Sequence, residues 1–220
     1  MRKLTYYIGT TLDGHAAGPG GEIDFYPVSE DHLAFMVSEY PEVLPAHVRA
    51  GLGVEAENQR FDTIVMGRTT YVPAVEQGIT SPYSHLRQYV ASTTMHHSPD
   101  PKVAIVSDAL ATVRELKQED GGLDVYLAGG GQLAGSVRDE IDELIVKVYP
   151  VLAGRGISMF AGDFVPRRFE LTDQRSFESG VVVLSYVRTD GDRAVCRVAR
   201  TGREARRVAT EHGVERPISR

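Results

Sequence analysis

Residues 123–134 read LDVYLAGGGQLA, and the architecture of the chain can be worked out from them. Leu123, Val125, Tyr126 and Leu127 carry an apolar strand signal, which ends in three successive glycines, Gly129, Gly130 and Gly131. Gln132, Leu133 and Ala134 then open a short helix. A strand feeding a glycine turn and a helix start brings free backbone N–H groups and the positive end of the helix dipole to one point, where glycine lets an anion come close. Three glycines also make an ordinary tight turn, so the triplet alone leaves both readings open.

The same grammar appears upstream. Residues 61–66 (FDTIVM) form a short apolar strand, and Gly67, Arg68, Thr69, Thr70 and Tyr71 turn from it into a helix. Arginine can hold a phosphate with two parallel hydrogen bonds, while threonine hydroxyls and helix N–H groups add neutral donors. The plainer alternative makes Arg68 a surface cation and Thr69 a helix cap.

Around these two units the chain predicts further alternation. Residues 3–9 form a first strand, followed by a glycine-rich loop through residue 21. Two helices are expected before residue 60, one over Glu30–Tyr40 capped by Ser29, with Leu33, Met36, Val37 and Tyr40 on its inner face. The other spans about Ala46–Gln59 and turns Val48 and Leu52 inward, with Pro41 and Pro45 between the two. Strands follow at Arg87–Ala91 and Val103–Val106, then a helix capped by Ser107 or Asp108. Strand–helix–strand order with right-handed crossovers implies an α/β fold, a mostly parallel sheet with helices on both faces. Phe169–Phe177 and Val181–Val187 read as an antiparallel hairpin that closes it. Both glycine turns sit at strand C-termini, where open α/β sheets bind ligands.

Composition excludes several classes. With 42% apolar and 25% charged residues the chain is ordinary globular material, long enough at 220 residues to bury a core. One cysteine, Cys196, permits no internal disulfide framework, and no apolar run approaches 18 residues, so a cytoplasmic protein without membrane contact is expected. The net charge of −6 is uneven: residues 188–220 hold nine arginines against five acids. That stretch reads as a flexible basic tail after a domain over 1–187; no aromatics interleave its arginines, which argues against nucleic acid as a partner. Adjacent His96 and His97 have no ligand cluster around them, so no metal is expected.

MGRTTY at 66–71, the triple glycine after VYLA, and DELIVKVYPVLAGRG at 142–156 together resemble the dihydrofolate reductase-like fold, in the branch that includes the reductase domain of riboflavin biosynthesis. The resemblance covers about residues 3–187. It implies a reduced nicotinamide dinucleotide as hydride donor, NADPH with NADH not excluded, and a small heterocyclic substrate such as a pterin or a ribosylaminopyrimidine. It assigns the cofactor to Gly67, Arg68, Thr69, Thr70, Ser92, Thr93, Gly129, Gly130, Gly131, Gln132, Leu133 and Ala16. In the family a basic residue often follows Ser92, where this chain has Thr93 and Thr94, which weakens a preference for NADPH over NADH. Leu12, Asp13, Gly14 and Ala16 fall in the loop that covers nicotinamide and substrate, although Asp13-Gly14 is also a plain turn signal. The acid that dihydrofolate reductases carry before the MGR strand has no counterpart at Gly51 or Leu52. Glu55 is the nearest candidate and Asp13 the other carboxylate in reach, and a solvated helix face is the simpler reading of Glu55. The branch also implies a homodimer, through the region of the apolar strand 143–150. A nucleotide-binding module without catalysis is the rival reading.

Overall fold

The computed structural model describes residues 1–189; of the tail expected over 188–220, Arg188 ends the last strand, and residues 190–220, with Cys196, lie outside the described residues. The first strand, β1 (Leu4–Thr10), occupies the middle of the sheet because every second residue meets a different helical layer. Tyr7 faces one side and Leu4 and Tyr6 the other, all essentially buried. Parallel to it run β3 (Phe61–Gly67), β4 (Arg87–Ala91), β5 (Val103–Val106), β6 (Asp124–Ala128) and β7 (Glu143–Val148). The hairpin of β9 (Phe169–Ser176) and β10 (Val182–Arg188) adds two antiparallel strands beside β7, in the order β5-β4-β3-β6-β1-β7-β10-β9. A separate two-stranded ribbon pairs β2 (His15–Ala17) with β8 (Ile157–Ser158).

One face of the sheet packs against α1 (Glu30–Glu39) and α3 (Arg68–Glu76), through Phe35, Met36, Tyr71 and Val75 on Tyr7, Ile64, Met66, Tyr126 and Ile145. The other packs against α4 (Ala109–Gln118) and α5 (Gly131–Ser136), through Val113, Leu116, Leu133 and Ala134 on Leu4, Tyr6, Val65 and Leu127. Asp108 caps α4 by accepting the Ala111 N–H at 2.9 Å, one of the two caps expected there.

Two expectations are corrected. The second helix, α2, runs only over Ala46–Leu52, because Gly53 takes a left-handed conformation (φ 65°) and ends it. Leu52 is exposed, and the helix buries Arg49 instead. In α1 Met36 and the following Tyr40 pack inward as expected, but His32 and Phe35 face the core in place of Leu33 and Val37, because the helix rests on a cluster of rings. β7 is paired on both edges, by β1 and β10, and Ile145 lies in the core. Lys147 also interrupts its apolar run.

Before β3, Glu42 is wholly buried, and its carboxylate accepts the backbone N–H groups of Arg60 and Phe61, each at 2.8 Å. It sits in the short 3₁₀ turn Pro41–Val43 and starts β3 by satisfying donors that have no strand partner. Replacing Glu42 with alanine should therefore cost about 3 kcal/mol, because buried amides are left unpaired. Urea unfolding monitored by far-UV circular dichroism reads this directly; a loss below about 0.5 kcal/mol would mean those amides find other partners.

Candidate functional site: a pocket across the ends of parallel strands

Parallel strands end at the same edge, and here that edge holds a pocket of about 830 Å³. The C-termini of β3, β4, β5 and β6 deliver its walls: Gly67 to Thr69, Ala91 to Thr94, Ser107 to Leu110, and Gly130 to Leu133, with Ser136 and Ile157. The pairing of β3 with β6, Met66 opposite Ala128, brings the two glycine turns into contact. Arg68 is exposed and makes no ion pair or hydrogen bond among the described residues, so its guanidinium is uncommitted. Ser92 shapes its own turn by accepting the N–H groups of Met95 (2.9 Å) and Thr94 (3.2 Å).

The three glycines differ in what requires them. Gly129 has φ 134°, and a side chain there would press on the Gly67 nitrogen (3.2 Å) and the Thr70 hydroxyl (3.0 Å). At Gly131 a Cβ would run into the Ser158 carbonyl and come within 2.9 Å of the Ala161 nitrogen, which itself donates to the Gly131 carbonyl at 3.0 Å. Gly130 has φ −75° and ψ 170°, and a Cβ there would touch only Ile157, at an ordinary 3.6 Å. Its missing side chain leaves space in the pocket rather than serving the fold.

Of the residues assigned to a cofactor from sequence, Gly67, Arg68, Thr69, Ser92, Thr93, Gly130, Gly131, Gln132 and Leu133 line this one pocket. Thr70 and Gly129 stand behind it, packed on each other. Ala16 does not reach it. It lies in β2, whose partner β8 supplies Ile157 to the wall. Sequence reasoning missed Thr94, Ser107, Asp108 and Ser136 as lining residues; the signal for Ser107 and Asp108 was present, since they end a parallel strand and cap a helix as Gly67 does.

Neither carboxylate considered for catalysis from sequence, Glu55 or Asp13, lines this pocket. Glu55 is exposed in the segment between α2 and β3, which leads into the N-terminal end of β3, while the pocket is lined at the C-terminal ends of the strands. Asp13 works on the chain itself. Its carboxylate accepts the Thr11 hydroxyl (2.6 Å) and the N–H groups of Ala153 (3.1 Å) and Gly154 (2.6 Å), which pins the first loop to the 151–159 segment. Further backbone bonds join Leu12 to Val151 and Met159 to Gly14. The Thr11 hydroxyl first, and then the two amides, hold the Asp13 carboxyl well below the usual carboxylate range, so it is no proton donor at neutral pH. No group of three or more His, Cys, Asp or Glu residues able to hold a metal occurs among the described residues, and none of their helices is long and apolar enough to cross a membrane.

A mostly parallel sheet with an antiparallel C-terminal hairpin and phosphate-type turns at its C-terminal edge defines a dihydrofolate reductase-like fold. The profile of the RibD C-terminal domain matches residues 2–183, and the chain belongs to that family. It is 30% identical over 190 residues to the uncharacterized protein YwjB of Bacillus subtilis (strain 168), covering 85% of this chain and 98% of YwjB. It is 25% identical over 199 residues to the uncharacterized protein YyaP of the same organism, at 84% and 95% coverage. Among solved structures, a putative riboflavin biosynthesis protein from Shewanella sp. PV-4 superposes with a TM-score of 0.60 at 22% identity, covering 86% of this chain and 99% of that one. The Thermotoga maritima diaminohydroxyphosphoribosylaminopyrimidine deaminase/5-amino-6-(5-phosphoribosylamino)uracil reductase gives a TM-score of 0.56 at 14% identity, covering 86% of this chain and 57% of that one. At these identities the structural matches show the fold.

Two predictions follow from the loop and turn geometry. Gly130→Ala should fold with unchanged thermal stability, whereas Gly131→Ala should melt lower because Ser158–Ala161 must move; differential scanning calorimetry separates them, and equal melting losses would refute the division. Asp13 has a lowered pKa in the folded state, so its contribution is complete above the unfolded value of about 3.9 and fades as pH falls below it. Amide protection factors at Ala153 and Gly154 should therefore hold from pH 7 to about pH 4 and drop only below, while Asp13→Asn lowers them throughout.

Proposed function

We propose that this protein is a reductase that uses NADPH, with NADH as the second candidate, to reduce a small heterocyclic substrate of the pterin or ribosylaminopyrimidine type. The observation that carries the reading is one pocket at the C-terminal edge of a parallel sheet that joins an uncommitted guanidinium, Arg68, to hydroxyls and to two strand-to-helix turns. A volume of about 830 Å³ falls in the range of cofactor sites. When bound, the dinucleotide supplies the hydride; the chain's own residues hold it, orient it and keep water out. Arg68 would take a phosphate, with Thr69 and the hydroxyls of Ser92 and Thr93 as neutral donors. The Gly130 turn would accept the backbone of the ligand closely, and the β2–β8 ribbon, tied down by Asp13, would cover it. Membership in the RibD C-terminal domain family, together with the reductase named in the Thermotoga maritima protein, supports the reaction class.

Asp108 at the end of β5 bears on the choice of nucleotide, because a carboxylate beside a ribose accepts its 2′-hydroxyl and repels a 2′-phosphate. A homodimer belongs to the same reading, and sedimentation at micromolar concentration tests it: a monomeric mass would remove it. The non-catalytic alternative is favoured by the absence of Glu55 and Asp13 from any proton-donating position, and it predicts that bound nucleotide is never oxidised.

The chain has no tryptophan, so nicotinamide fluorescence can be read by direct excitation against a low background. NADPH should bind at micromolar concentration, and Arg68→Ala should weaken it at least tenfold, about 1.4 kcal/mol. Failure of both NADPH and NADH to bind would end the reductase reading.

A further inference from the structure

Two charged side chains line the pocket at the strand ends, Arg68 and Asp108, and neither forms an ion pair among the described residues. Asp108 is exposed, and one of its carboxylate oxygens is engaged: Oδ1 accepts the Ala111 N–H at 2.9 Å and so caps α4. Its Oδ2 has no hydrogen bond among the described residues. The cap therefore uses half of this carboxylate and leaves the other half at the pocket wall.

The sheet register orders that wall. Met66 lies opposite Ala128, Gly67 opposite Ala91, and Ala91 opposite Val106. The residues that follow leave four adjacent strands at one height: the Gly129 turn from β6, Arg68 from β3, Ser92 from β4 and Ser107 from β5. The Ser92 N–H reaches the Val106 carbonyl at 2.9 Å, which keeps the last two side by side. Neighbouring strands lie about 4.8 Å apart, so Arg68 is one interval from the glycine turn, whereas Asp108 is three intervals away, roughly 14 Å. The wall grades from anion donors over β6 and β3 to hydroxyls and a carboxylate over β4 and β5.

A dinucleotide can lie along this row in two directions, and the sheet distinguishes them. β5 is an edge strand, open on its outer side. At the other end of the pocket the ribbon of β2 and β8 brings in Ile157, which lies against Gly130. A ring that transfers hydride needs water excluded, so the nicotinamide belongs at the ribbon and the adenosine toward β5. With the diphosphate on the glycine turn and Arg68, the adenosine ribose falls among Ser92, Ser107 and Asp108. Over β4 and β5 no cation lines the pocket. A free carboxylate oxygen accepts a ribose 2′-hydroxyl and repels a phosphate at the same position.

We propose that Asp108 is the specificity-determining residue of this pocket: its free oxygen reads the 2′-position of the adenosine ribose, favours the hydroxyl of NADH and holds back the preference for the 2′-phosphate of NADPH. The ligand in this assignment rests on the reductase reading, but the assignment concerns binding and needs no turnover. Asparagine and serine both cap helices as aspartate does, so the charge can be removed while the cap is kept.

The test compares NADH with NADPH on the full chain by nicotinamide fluorescence. Adenosine 5′-diphosphate and its 2′-phosphorylated counterpart, used as competitors, report the adenosine end alone. Asp108→Asn should shift the ratio of the two dissociation constants toward NADPH by about tenfold, or 1.4 kcal/mol, chiefly through tighter NADPH binding. Asp108→Ser should do the same, and the two competitors should shift in the same direction. Glu115→Gln removes one negative charge from an exposed position of α4 that does not line the pocket, and it should leave the ratio unchanged. Melting temperatures of both Asp108 variants should match that of the parent, because the cap survives. A ratio within about twofold of the parent in both Asp108 variants, an equal shift in Glu115→Gln, or a shift in the dinucleotides that the competitors do not share each overturns the proposal. The two claims fail differently: binding of both dinucleotides with an unresponsive ratio removes Asp108 alone, whereas binding of neither removes the reductase reading and the Asp108 assignment with it.

Discussion

The pairing of β3 with β6 is the constraint on which the rest of the molecule depends. These strands are separated by α3, β4, β5 and α4 in the chain, yet Met66 lies opposite Ala128, so the residues that follow them, Gly67 and Gly129, touch. Parallel pairing forces both strands to end at one edge, and the shared register puts both turns at the same height. A one-residue slip would also turn Val65 and Met66 to the wrong helical layers, so the hydrophobic pattern of β3 fixes the geometry of the pocket.

The sheet then divides its C-terminal edge between two kinds of surface. Over β3 to β6 the walls are turns, hydroxyls and one free guanidinium, a wet and polar arrangement suited to phosphates and ribose. Over β1 and β7 they are rings around the desolvated ammonium of Lys147. The second arrangement is costly for the folded chain, since an unpaired, buried ammonium loses hydration without gaining a partner. The first loop and the 151–159 segment stand between the two surfaces, and Asp13 holds them together.

Much of this was legible in the sequence wherever local chemistry decides the outcome. FDTIVM followed by glycine, VYLA followed by glycines, and Asp108 before an apolar helix each state their own structure within a few residues, and much of the lining of the pocket at the strand ends followed from them. The hairpin was legible because Glu178-Ser179-Gly180 sits between two alternating strands. What could not be read depended on partners distant in the chain. The turn signal at Asp13-Gly14 did not disclose that the carboxylate is used by Ala153 and Gly154. Glu55 looked like a helical residue because the effect of Gly53 depends on a left-handed backbone that only the folded chain shows. Lys147 was lost inside an apolar strand, although a single lysine at an inward position of a buried strand is a signal that alternation makes available.

The account rests on one claim, that segments far apart in sequence form a single nucleotide site. Hydrogen–deuterium exchange with and without saturating NADPH tests it most directly. Protection gained together in residues 67–71, 92–94 and 129–136, with none at the Glu55 segment, is the predicted result. Bound NADPH that protects none of these segments, or only one of them, would contradict it.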